Sequence, residues 1–68
     1  MKTYGKKLKE LRIASGLSLL DLEKATGISK QNLSRWERDK AVPSIAFCEM
    51  LADYYGITID ELIGRNIK

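Results

Sequence analysis

Apolar residues recur along this chain at helical spacing, and five such stretches are separated by glycine or proline stops. Tyr4, Leu8, Leu11 and Ala14 form one stripe, which predicts a first helix over about 4–15 with Gly16 as its stop. Gly5, in its first turn, is a place for close approach by a neighbouring helix. Ser18 followed by Asp21 resembles a capping box and opens a short second helix over about 19–26. Leu19 and Leu22 face inward there, and Leu20 is partly exposed. Gly27 permits a sharp corner, Ile28 plugs it, and Ser29 caps a third helix over about 30–38. That helix has only Leu33 and Trp36 to turn inward.

Pro43 breaks the chain after the third helix, because the residue before a proline disfavours helical angles. Ser44 caps a fourth helix over about 45–55, with Ile45, Cys48, Met50, Leu51, Ala52 and Tyr55 available to a core. Gly56 stops it. Thr58 to Glu61 forms a second capping box, for a fifth helix that ends near Gly64, and residues 65–68 fray. No stretch alternates as a strand does. The expectation is an all-α, compact five-helix domain spanning residues 1–68, with its core in about 4–63.

Composition narrows the chemistry. A chain of 68 residues holds one domain with a small core. One cysteine cannot pair within the chain, and one Cys with no His makes no zinc set. The absence of His also removes the commonest general base, and no glycine-rich phosphate loop is present, so an enzyme is not expected. No cofactor, metal or small-molecule ligand is implied. The lone cysteine fits a reducing, cytoplasmic setting, and no apolar run is long enough for a membrane span.

Charge is uneven. Residues 1–40 hold ten Lys/Arg against five Asp/Glu, whereas residues 41–68 hold two against four. A one-sided basic surface is the footprint of a polyanion partner, although a solvated basic surface with no partner reads the same way. The third helix is more specific. Lys30, Gln31, Asn32, Ser34 and Arg35 point away from its inward face. Long donors and two-sided amides are what guanine and adenine edges require in the major groove. An ordinary solvated helix face is the plain alternative. Ser18, Arg38 and Lys40 flank this helix and suit phosphate contacts.

The ordered set of motifs resembles the phage-repressor and Cro-type helix-turn-helix (XRE) family. The matching pieces are Leu8-Lys9-Glu10-Leu11-Arg12, Gly16-Leu17-Ser18, Leu22, Gly27-Ile28-Ser29, Leu33-Ser34-Arg35-Trp36-Glu37, Pro43-Ser44, Leu51-Ala52 and Gly56 to Leu62. The resemblance implies a lambda-repressor-like fold in which helices two and three form the helix-turn-helix. It implies a sequence-specific double-stranded DNA-binding transcriptional regulator, a repressor of prophage or mobile-element type, acting as a homodimer on a palindromic operator. Base readers would be Lys30, Gln31 and Arg35, with Ser18, Ser29, Asn32, Ser34, Arg38 and Lys40 as supporting or phosphate contacts. Arg12 and Glu37 would form a structural ion pair. Two residues depart from the pattern. Leu19 stands where a polar residue meets a phosphate, and Glu23 stands where a small residue lets helices two and three pack closely. The competing reading is a protein-interaction module, an antitoxin or anti-repressor partner, that keeps the fold without using the groove-reading face.

Overall fold

A computed structural model describes residues 4–63. Its order is α1 (Tyr4–Ala14), α2 (Leu19–Thr26), α3 (Lys30–Glu37), α4 (Ile45–Tyr55) and α5 (Ile59–Leu62). Gly64, near which the fifth helix is expected to end, and residues 65–68, expected to fray, lie outside the described residues. The expected bounds of α2 and α4 coincide with the structure. The first helix ends one residue early at Ala14, and Arg38 is the C-cap of α3 rather than its last helical residue.

Hydroxyl caps start four of the helices. Ser18, Ser29, Ser44 and Thr58 each accept a backbone N–H three residues on, which satisfies one otherwise unpartnered donor per helix. Ser18 with Asp21, and Thr58 with Glu61, complete the reciprocal capping box. Gly27 stands at φ 82°, a left-handed conformation that lets α2 stop within one residue of the corner.

The core is one cluster: Leu8 from α1, Leu22 from α2, Ile28 from the corner, Leu33 and Trp36 from α3, Cys48, Leu51 and Ala52 from α4, and Leu62 from α5. Every helix contributes, so none of them can bury its stripe alone. Trp36 is an inward anchor, with its ring 5.2 Å from that of Phe47. Leu19 is half-buried and packs against this cluster. Three apolar residues expected at the core are outside it. Ile45 is 75% exposed, Met50 is 41% exposed, and Ala14 is exposed. The inward face of α4 is the stripe Cys48, Leu51, Ala52 and Tyr55, and Ile45 and Met50 fall on its outer side.

Two contacts set α3 against α1. The first is the close passage of Gly5, where a β-carbon would strike the Glu37 carbonyl oxygen and lie within 2.6 Å of that of Trp36. The second is Asp39, which takes a left-handed conformation (φ 58°) just after α3 and accepts the Gly5 N–H at 2.9 Å. The chain leaving α3 thereby caps the start of α1.

Candidate nucleic-acid interface

The outer side of α3 follows from how few of its residues are apolar. Leu33 and Trp36 are buried, so the helix rotates until Lys30, Gln31 and Arg35 are exposed and Asn32 and Ser34 are half-buried. Its orientation is held from behind by the ion pair. Arg12 Nε donates to Glu37 Oε2 at 2.7 Å and Nη2 donates to Oε1 at 3.0 Å. A third donor, Nη1, reaches the Leu17 carbonyl at 2.8 Å and fixes the loop entering α2. The hydrogen bond to Glu37 pushes the Arg12 guanidinium above its already high value, so the arginine is fully charged at neutral pH.

Between the start of α2 and the outer face of α3 lies an open cleft of about 590 Å³. Lys30, Gln31, Ser34, Arg35 and Arg38 line one wall, and Ser18, Leu19 and Leu20 the other. Six of the residues named from the sequence are therefore brought together. Ser29, Asn32 and Lys40 are not on the cleft. Ser29 and Asn32 are joined in the cap of α3, with the Ser29 hydroxyl oxygen accepting the Asn32 N–H at 3.3 Å. Lys40 is exposed in the turn after α3, where its backbone N–H donates to the Arg35 carbonyl at 2.8 Å.

The helix start at Ser18 is less open to an anion than the sequence suggests. The Ser18 N–H donates to Asp21 Oδ2 at 3.0 Å, and the Ser18 hydroxyl oxygen accepts the Asp21 N–H at 3.0 Å. Donation from the Ser18 backbone N–H, then from the Ser18 side chain, holds the Asp21 carboxyl below its ordinary range.

Two features of the site were missed from sequence. Glu23 is the first. Its carboxylate reaches across the corner from α2 to α3, where Oε1 accepts the Lys30 N–H at 3.0 Å. A carboxylate on the amino end of a helix is favourable to the helix dipole, so an unusual residue in α2 is a cap for α3. The signal was present as an acid seven residues before a helix start, across a glycine corner. The second is the place of Leu20 on the cleft wall; its partial exposure was expected, at 45%. An apolar group there suits a thymine methyl or a sugar face.

Two short helices at a glycine corner, the second presenting long donors beside an open cleft, define a helix-turn-helix domain. The family model described as Helix-turn-helix matches residues 8–62, and the chain belongs to that family, in its XRE-type branch. Over 57 residues, 84% of this chain, it is 42% identical to the HTH-type transcriptional regulator DdrOP3 of Deinococcus deserti. The match spans 44% of that regulator's length. Among solved structures it is similar to the BldD DNA-binding domain of S. venezulae, with a TM-score of 0.79 and 30% identity over 91% of this chain and 93% of that one. It is also similar to the SOS-response transcriptional repressor LexA from Eubacterium rectale, with a TM-score of 0.84 and 28% identity over 97% and 73% of the two chains. The fold and family are those of DNA-binding transcriptional regulators, not of enzymes.

Proposed function

We propose that this domain is a sequence-specific double-stranded DNA-binding regulator, a repressor of the prophage or mobile-element kind, that places α3 in the major groove. The observation that carries this reading is the outer face of α3, where Lys30, Gln31 and Arg35 are all exposed along one wall of the cleft. Arg35 and Lys30 suit guanine O6 and N7, and Gln31 suits adenine N6 and N7. Ser34 and Arg38 on the same wall, Ser18 across from them and Lys40 in the next turn supply phosphate contacts, with Ser29 and Asn32 supporting the helix start. Repression is supported by the similarity to a protein described as a transcriptional repressor, and the prophage or mobile-element kind by the phage-repressor motifs of the sequence. A cytoplasmic setting goes with it; among the described residues no helix is long and apolar enough to cross a membrane.

The domain acts as a homodimer on a palindromic operator, reading half-sites about 34–36 Å apart on one side of the duplex. Met50 and Tyr54 support this, because both are exposed apolar groups on α4, beside a shallow groove shared with Ala25, Thr26 and Asp53. The test is selection of bound sequences from a random duplex pool, with complex stoichiometry read in parallel. A palindromic motif bound by two copies is expected. A pool that shows no enrichment rejects the reading.

A further inference from the structure

We propose that Glu23 is a specificity-determining residue, which caps the first amide of α3 with an acid and weakens binding to random DNA relative to the operator; the proposal rests on the DNA-binding reading above. Three observations carry it. Glu23 Oε1 takes the Lys30 N–H at 3.0 Å, so the first amide of α3 is closed to a phosphate. The Asn32 N–H is likewise taken, by the Ser29 hydroxyl. Lys30 lines the cleft, and the Glu23 carboxylate, though not itself on that lining, is bonded to the Lys30 backbone N–H beside it.

The amino end of an α-helix ordinarily attracts a phosphate through its free N–H groups and its dipole. In this chain that attraction is opposed from within by the Glu23 carboxylate on the first amide. The consequence depends on what the DNA presents. A phosphate offers only acceptors, so it is repelled. A base edge in the major groove offers amino donors, the N4 group of cytosine and the N6 group of adenine, which a carboxylate can accept. Glu23 therefore costs affinity where the domain rides on the backbone and costs less where α3 is seated on base edges. Specificity of this kind comes from a repulsive group set against the wrong partner.

The experiment uses the whole 68-residue chain, wild type and the variants Glu23→Gln and Glu23→Ala. Each is titrated with its selected operator and with random duplex of the same length at two salt concentrations, and each is melted without DNA. Gln keeps a carbonyl acceptor for the Lys30 N–H and removes the charge, and Ala removes both. For Glu23→Gln the expected result is about two- to fivefold tighter binding to random DNA at low salt, with the gain shrinking as salt rises. Operator affinity changes less, so the operator-to-random ratio falls. The Tm stays near that of wild type in Glu23→Gln and drops in Glu23→Ala. Equal changes on operator and random DNA, or no change in Glu23→Gln, overturn the proposal while leaving the DNA-binding reading intact. A wild-type chain that binds neither DNA overturns both.

Discussion

The guanidinium of Arg12 meets the carboxylate of Glu37 through two parallel hydrogen bonds, 2.7 and 3.0 Å long, with side chains only 13% and 8% exposed. A bidentate pair this shielded joins α1 to the end of α3 with a defined angle. Little net stability comes from such a pair, yet removing one partner strands the other charge. For Arg12→Ala the expectation is a loss of about 3 kcal/mol. For a domain this small that lowers Tm by more than about 10 °C. DNA affinity falls with it, because α3 loses its brace. Thermal melting checks this, and an unchanged Tm contradicts the role given to the pair.

Gly5 makes an independent prediction. The β-carbon of Gly5→Ala would meet the backbone carbonyls of Trp36 and Glu37, which have no flexible side chain to yield. Alanine favours an isolated helix over glycine by about 1 kcal/mol. Here the clash outweighs that gain, and a net destabilisation of about 1–3 kcal/mol is expected from chemical denaturation. A more stable Gly5→Ala would mean that α1 and α3 pack less closely than described.

The buried hydroxyl of Tyr55 gives a pH-dependent prediction. Among the described residues it has no hydrogen-bond partner, and Tyr55 lies beside Leu8, Leu22, Leu33, Leu51 and Glu37. Burial, reinforced by the Glu37 charge, pushes its pKa from 10.0 up to about 12. The unfolded chain then releases the proton first as pH rises, so stability falls between pH 10 and about 12. Burial also raises the Cys48 thiol, which adds a fall in the same direction from pH 9.0 upward. Tyr55→Phe should be neutral or stabilising by up to about 1 kcal/mol at neutral pH, since it deletes an unpaired polar group. Its Tm should also decline less steeply above pH 10 than that of wild type. A clear loss at neutral pH would mean that the hydroxyl has a partner.

Much of this domain was legible in the sequence because its punctuation is local. Ser18, Ser29, Ser44 and Thr58 announce helix starts, and Gly27 and Gly56 announce stops, each within a few residues of the event. What required the fold was rotation and reach. Ile45, Cys48, Met50, Leu51, Ala52 and Tyr55 of α4 all looked available to a core, and only packing against α2 and α5 shows that Ile45 and Met50 turn outward. The left-handed turn at Asp39 serves a partner 34 residues away, so no local pattern could signal it. The long donors of α3 were visible as a cluster. That Ser18 spends its N–H on Asp21, and that Glu23 caps Lys30, depends on side-chain directions the sequence leaves open.

Phosphate and base contacts separate by their salt and sequence dependence. Lys40 is exposed beyond α3 and off the cleft. Lys40→Ala should weaken operator and random DNA alike and reduce the slope of log affinity against log salt by about one. A loss confined to one operator position would instead make Lys40 a reader.

The central claim is that the outer face of α3 reads base edges, and Arg35 tests it most directly because it is exposed on the cleft. Binding of wild type and Arg35→Ala to the selected operator, to operators changed at single base pairs, and to random duplex is the measurement. The predicted result is a loss of about 1–3 kcal/mol on the operator, a smaller loss on random DNA, and relaxed preference at one base pair. Equal losses on operator and random DNA would contradict the claim and leave Arg35 as a phosphate contact.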